Sequence, residues 1–349
     1  MRFQNVNDEP IKADIDKQWS ENPLLIKQFI DCRPEYEQLC SEVAYILRTK
    51  LKKAEIEVAA VTFRAKTLAS FLEKTRRKPY KNPLTEITDI AGVRVVCLYS
   101  PDTSEVQKLI RKEFDLVEEV DKLKEKSSEE FGYSAKHFII RLGKSSSGAR
   151  YDDLKNLVCE IQVRTVLQDA WAIIQHHLVY KKEADVPEAL QRKLNSLSGL
   201  LETADDQFDS IRRERLAYLK TLERSKNEPD DFLKADFNMD SFTAYARWKF
   251  PHLKLENFTG QAKIVFSMMK KDEHPSLKDL DQIVEANKDV LRKMEKEYEQ
   301  LDTKFRKFDA PSAAVLVMYA PAIINARWAS EQGLGSASKI LVKKYNKWK

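Results

Sequence analysis

The chain has 349 residues, with 60 basic and 55 acidic side chains and a net charge of +5. It is long for one domain, has no apolar run of membrane-spanning length, and is too evenly charged to demand or exclude a nucleic-acid partner. Its four cysteines (Cys32, Cys40, Cys97, Cys159) show no paired metal spacing, and Met1 to Pro10 lacks a signal-peptide core. A cytoplasmic protein with reduced core thiols is therefore expected.

Helical spacing runs from about 21 to 53 and is strongest from Pro34 to Lys53, where Tyr36, Leu39, Val43, Ile46, Leu47 and Leu51 form one apolar stripe. A strand from Ile56 to Phe63 gives way to a helix reaching Lys78. There Lys66, Ser70, Lys74 and Arg77 recur at intervals of four, four and three. That spacing stacks them on one helical face, where like charges repel unless an anion sits between them. A solvated basic face is the plain alternative.

Asp89 stands just before an apolar strand, Gly92 to Tyr99, followed by a helix from Ser104 to Phe114 and a strand from Leu116 to Leu123. Phe131-Gly132-Tyr133-Ser-Ala-Lys136-His137 opens the next strand, Lys136 to Leu142. Its aromatic ring beside a glycine is a place for a base to stack, with a histidine four residues on. The loop Gly143 to Gly148 lacks P-loop spacing and reads as a flexible turn.

Glu160-Ile-Gln-Val-Arg-Thr165 threads a carboxylate, an amide and an arginine through a buried-strand pattern, Leu157 to Arg164. Alternation puts Glu160, Gln162 and Arg164 on one face and Ile161, Val163 and Thr165 on the other, so one side of a sheet lines a polar cleft. Such a face costs stability unless its polar groups are paired. Asp89 and Glu160, both delivered at strand positions, form a plausible magnesium pair; either one alone reads sooner as an edge-strand residue in solvent.

Beyond Thr165 the pattern is helical. Pro187 to about Lys226 reads as one long helix whose stripe of Leu190, Leu194, Leu197, Leu201, Ala204, Phe208 and Ile211 is explained by core packing. Asn227 to Asp231 is the linker candidate. The remainder carries an amphipathic helix from Ser276 to Phe308, an apolar run from Ala313 to Ala326 and a basic end from Lys339 to Lys349. The elements add up to an α+β fold, a mixed sheet of about five strands flanked by helices, followed by a mainly helical C-terminal domain. The division falls at 1–229 and 230–349, the second part serving regulation or interaction.

Four motifs stand in a telling order: Arg64-x-Lys66-x3-Ser70-x3-Lys74, Asp89-Ile-Ala-Gly-Val-Arg94, Gly132-Tyr133-x3-His137, and Glu160 to Thr165 followed by Trp171 to Lys181. Across about Val58 to Lys181 the set resembles the nucleotidyltransferase-like synthetase domain of the RelA/SpoT family, and looks closest to the short alarmone synthetases and their toxin relatives. The resemblance implies transfer of pyrophosphate from ATP to the 3′-hydroxyl of a guanine nucleotide, GTP or GDP, with release of AMP. It implies Mg2+ at Asp89 and Glu160, with Glu160 drawing the hydroxyl proton. ATP would be held by Lys66, Ser70, Lys74 and Arg77 at its phosphates and by Arg64 and Arg94 on either side of adenine. Tyr133 would stack on the acceptor base, with His137 and Gln162 nearby and Arg164 and Lys181 serving phosphates; a sheet-stabilising salt bridge is an equal reading for Arg164.

Two departures matter. The five histidines (His137, His176, His177, His252, His274) include no His-Asp pair, so the hydrolase activity of long family members is not expected. His176 matches the family position, while His177 points about 100° away and reads as structural. At the acceptor motif, Glu129 and Glu130 stand where cations are common, which disfavours a free guanine nucleotide by electrostatics unless Lys136 compensates. This keeps a toxin-type reading open, in which the acceptor is the 3′ end of tRNA and the C-terminal domain is a restraint or a sensor for a protein regulator. A non-catalytic module is the third reading, and homo-oligomerisation stays open.

Overall fold

The computed structural model describes residues 22–121, 135–178, 187–251 and 276–300. They belong to two compact units, Met1–Ile211 and Arg212–Lys349.

The first unit opens with helix α1 (Pro23–Lys53), close to the expected span of about 21 to 53, and it continues through Pro34. An internal proline costs one helical hydrogen bond. The helix tolerates it because Ile26 and Phe29, upstream of the proline, are fully buried with Tyr36, Leu39, Val43 and Leu47 downstream of it. Strand β1 (Val58–Ala65) follows, then helix α2 (Leu68–Arg77) and a single helical turn at Pro83–Glu86. Strand β2 (Ala91–Cys97) leads to helix α3 (Ser100–Glu113), which starts a turn earlier than its spacing suggested because Pro101 fits the first helical turn. Strands β3 (Phe114–Asp121), β4 (Lys136–Leu142) and β5 (Cys159–Thr165) complete the sheet. Helices α4 (Val166–Leu178) and α5 (Glu188–Ser225) come after it.

The sheet has five strands in the order β1-β2-β5-β4-β3. Only β2 and β5 run parallel; the other three pairings are antiparallel. Its apolar face, with Val61, Val93, Val95, Phe138, Ile140, Ile161 and Val163, packs under α1 and α3. Glu160, Gln162 and Arg164 alternate with buried neighbours along β5, so they share the opposite face, as the alternation predicts.

Between β4 and β5 the turn is more constrained than its composition implies. A Cβ at Gly143 would run into the Glu113 carbonyl oxygen, and Gly148 has φ +97°. Both positions require glycine for steric reasons.

Helix α5 departs from its sequence reading. Leu190, Leu197, Phe208 and Ile211 are about half exposed, at 50%, 50%, 49% and 61%, while Ser198 and Asp205 are buried. The Thr165 hydroxyl donates to Asp205 Oδ2 at 2.6 Å and anchors the Ser198–Asp205 side of the helix against the end of β5, leaving Leu190, Leu197, Phe208 and Ile211 on the exposed side. Leu194, Leu201 and Ala204 are half-buried, so packing accounts for part of the stripe but not for Leu190, Leu197, Phe208 and Ile211.

In the second unit, α5 ends at Ser225 and Pro229 opens another helical turn, Pro229–Phe232. Helices α6 (Met239–Lys249) and α7 (Leu277–Ala286) each begin with a capping box, from Asn238 and Ser276, and α8 (Lys288–Gln300) follows. Phe232, Phe242, Tyr245, Leu277, Leu280 and Val284 form their buried side. The expected helical stretch from Ser276 thus breaks at Asn287; its end beyond 300, the apolar run from Ala313 and the basic end from Lys339 lie outside the described residues. No helix among the described residues is long and apolar enough to cross a membrane.

Phe29 of α1 and Phe71 of α2 stack with centroids 4.3 Å apart and both are fully buried. This contact fixes the helix that carries Lys74. Phe71→Ala is expected to cost about 3–5 kcal/mol, read as a lower urea midpoint, because a rigid core leaves most of the cavity unfilled.

Candidate active site

The site grows out of strand register. Opposite Glu160 of β5 stands Gly92 of β2, and opposite Gly92 stands Arg64 of β1. In the next row Thr62, Arg94, Gln162 and His137 are cross-strand neighbours. Paired residues project to the same side of a sheet, so Arg64, Arg94, His137, Glu160 and Gln162 share the polar face. Arg64 is exposed and makes no side-chain hydrogen bond or ion pair to another described residue.

Asp89, two residues before β2, lies between two ammonium groups: Lys66 Nζ is 2.9 Å from Oδ2 and Lys74 Nζ 2.9 Å from Oδ1. The spacing argument expected Lys66 on the helix; it lies just before it, since Thr67 is the N-cap and accepts from the Ser70 N–H at 3.3 Å. Lys66 is fixed instead by its backbone, whose N–H donates to the Ile90 carbonyl at 2.8 Å. The anion demanded by the cations is Asp89 itself. Ser70 is exposed, with its hydroxyl oxygen accepting from Thr67 at 3.0 Å. Arg77 pairs with Glu73 at 2.6 Å on the helix surface and is not drawn into the Asp89 cluster.

Along β5 the polar groups form one chain. His137 Nδ1 is 2.7 Å from Glu160 Oε1; Gln162 Nε2 donates to Glu160 Oε2 at 2.7 Å; Arg164 Nη2 donates to Gln162 Oε1 at 2.8 Å. Arg94 and Arg164 then meet Asp169 of α4 at 2.8 and 3.8 Å. The sequence reading missed Asp169 and the His137–Glu160 bond. An acid in the first turn of the helix after Arg164 was the available signal, but its partners are set by the tertiary fold. Tyr133 and Lys181, expected at the acceptor side, lie outside the described residues.

The electrostatics follow from burial against pairing. Burial pushes the Asp89 carboxyl up, and the Lys66 and Lys74 ammoniums outweigh it, holding the group below the usual carboxylate range. Burial likewise raises Glu160, but the hydrogen bonds from His137 and Gln162 prevail against it and against the Asp89 charge, and its carboxyl is also lowered. Both are ionised at neutral pH. Burial, reinforced by the Arg94 charge, makes the Arg164 cation costlier than usual.

Two like charges close enough to feel each other suit a divalent cation. No group of three His, Cys, Asp or Glu side chains suited to a metal exists among the described residues. The protein would thus offer two carboxylates and leave the other positions to phosphate oxygens and water, which is how magnesium is commonly held. Asp89 Oδ1 fits this role: it is buried, close to Lys74 but without an aligned hydrogen bond, so it keeps a lone pair for a cation.

Comparison with known proteins agrees with the ordered motifs. Residues 63–185 match the model described as a region found in RelA / SpoT proteins. The chain is 35% identical over 159 residues to GTP pyrophosphokinase YjbM of Bacillus subtilis (strain 168), a match covering 44% of this chain and 72% of that protein. It is 30% identical over 157 residues to GTP pyrophosphokinase YwaC of the same organism, covering 43% and 72%. Among solved structures it resembles the small alarmone synthetase 1 from Bacillus subtilis at 28% identity, covering 54% of this chain and 98% of that one, with a TM-score of 0.46.

The lowered carboxyls imply a pH dependence. A depressed folded-state pKa adds stability above the unfolded value, about 3.9 for Asp. That share disappears as pH falls through the lower folded value. Asp89→Asn should therefore lower the urea midpoint at neutral pH and make its decline between neutral and acid pH shallower than in the wild type.

Proposed function

Since the chain belongs to the RelA/SpoT family, we propose that it transfers a pyrophosphoryl group from ATP to the 3′-hydroxyl of GTP or GDP, making a (p)ppGpp alarmone and releasing AMP. The observation that carries this reading is Asp89, bridged by two lysines, lying near enough to Glu160 for its charge to act on it, with Glu160 itself held by His137 and Gln162. ATP brings several negative charges, and its phosphates would draw Lys66 and Lys74 away from Asp89, with Ser70 and Arg77 at the edge of the same cradle. Arg64 and Arg94, on neighbouring strands of the same face, would flank the adenine. Mg2+ held by Asp89 and Glu160 together with phosphate oxygens would supply neutralisation of the triphosphate.

Glu160 would accept the proton of the acceptor hydroxyl while that oxygen bonds to the β-phosphorus and the bond to the oxygen bridging the α- and β-phosphorus breaks. His137 and Gln162 fix the carboxylate for this role, and Arg164 orients Gln162 through its amide oxygen. Positioning and charge account for most of what an enzyme contributes to such a transfer. Tyr133 would stack on the acceptor base, and Lys181 would meet acceptor phosphates. The reaction would take place in the cytoplasm.

A second reading has a specific support: Glu129-Glu130-Phe131-Gly132-Tyr133-Ser-Ala135 carries acids and no cation near the acceptor aromatic. An acceptor without free phosphates near its base, the 3′-terminal adenosine of tRNA, avoids that repulsion. In this reading residues 230–349 restrain the synthetase until a protein regulator engages them.

With β- or γ-labelled ATP, label is expected on GDP or GTP in the presence of magnesium; label on deacylated tRNA alone would establish the second reading. Glu160→Gln and Asp89→Asn should each abolish transfer, by at least about a thousandfold for loss of a charge at the reacting centre, with the urea transition still cooperative. Full activity in either variant would sink the metal and base assignment.

Cutting the chain within Asn227 to Asp231 tests the restraint. Under the second reading the shortened protein gains activity or becomes toxic on expression, and Glu160→Gln in the same shortened chain removes the toxicity. Unchanged activity on every acceptor would leave residues 230–349 with a role in assembly or localisation.

A further inference from the structure

Arg164 has two anions within reach. Its Nη2 is bonded to the Gln162 amide oxygen, and on the far side of that amide lies Glu160, whose charge it feels. On its other side, Asp169 Oδ1 lies 3.8 Å from Arg164 Nη1 and 2.8 Å from Arg94 Nη1. Arg164 is largely buried, at 12% side-chain exposure, and its Nε has no hydrogen-bond partner. A buried guanidinium with a spare donor seeks another acceptor. The lone pairs of Glu160 are the ones it would compete for.

We propose that Asp169 is a positioning residue that holds Arg164 off Glu160 and steadies Arg94 on the nucleotide-binding face of the sheet. The inference rests on the reading of Glu160 and Arg94 given above. Asp169 Oδ1 has no aligned hydrogen bond although both guanidiniums are near, so charge holds this cluster more than hydrogen-bond geometry does. An isosteric amide at 169 keeps the packing and releases both arginines. Arg164 then closes on Glu160 and takes the lone pairs needed by the acceptor hydroxyl, while Arg94 loses the ion pair with Asp169 that holds it among the described residues.

The test is a cycle in the full-length protein, with transfer followed from labelled ATP and binding of ATP followed by calorimetry. Asp169→Asn is expected to lower kcat about tenfold or more and to weaken ATP binding about fivefold, amounts typical of coupled charged neighbours. Adding Arg164→Gln to Asp169→Asn should raise kcat again, about fivefold over the single variant, because no guanidinium is left to close on Glu160 while the new amide still offers Gln162 Oε1 a donor. ATP binding should stay weak in that double variant, since Arg94 is still unanchored. A residue that merely supports the fold gives the opposite pattern: the double variant is no better than Asp169→Asn, and that result overturns the proposal. Unchanged kcat and unchanged ATP binding in Asp169→Asn overturn it as well. Failure of the underlying function looks different, because then the wild-type chain itself transfers no label to any acceptor.

Discussion

The parallel pairing of β2 with β5 is the constraint on which the site depends. Its register sets Gly92 beside Glu160 and Arg94 beside Gln162. Side chains alternate with a period of two, so a slip by one residue would drive Glu160, Gln162 and Arg164 into the apolar layer under α1 and α3. The apolar residues between them, Ile161 and Val163, would be stranded on the polar side in the same move. Burial on one face and hydrogen bonding on the other therefore specify the same register. Gly92 adds to it: with no side chain of its own, it leaves the space next to Glu160 open, and a Cβ there would meet only the Arg64 carbonyl oxygen, at ordinary contact distance.

That register gathers charges that would be unfavourable without partners, and the protein has used its own groups to neutralise them. Asp89 is matched to two lysines, Glu160 to a histidine and an amide, and Asp169 to two arginines. Buried pairs of this kind contribute little net stability, because desolvation consumes most of the Coulomb energy. Their value lies in readiness. Under the proposed function, lysines already ordered beside Asp89 would lose little further freedom on meeting a phosphate, and a carboxylate fixed from two sides would not have to reorganise as charge moves.

Much of this was legible in the sequence where a period or a fixed motif carried it. Alternation in Glu160 to Thr165 gave the correct face for every residue, and the strand before Lys66 and the one after Asp89 followed from short apolar runs. The ordered motifs led to the family. Helical spacing was less reliable at edges: Lys66 looked helical because it lies four residues before Ser70, but Thr67 caps the helix and a strand-end hydrogen bond orients the lysine. Asp169 was invisible, since nothing local tells an acid in a first helical turn which cations the fold will bring to it.

Helix α5 marks the limit of periodicity most clearly. Its leucines recur at the spacing of a packed stripe, yet the side anchored to the sheet centres on Ser198 and Asp205, with Leu194 and Leu201 half-buried beside them, while Leu197, Leu200, Phe208 and Ile211 face outward. A pattern establishes that a helix has two faces; which face is buried is decided by the strongest available partner. Here that partner is the Thr165 hydroxyl at the end of β5, bonded to a buried Asp205. A carboxylate removed from water holds such a donor more firmly than an apolar contact holds a leucine. Thr165 closes the buried row of β5, in phase with Ile161 and Val163, so the strand that carries Glu160 on one face also anchors α5 through the last residue of its other face.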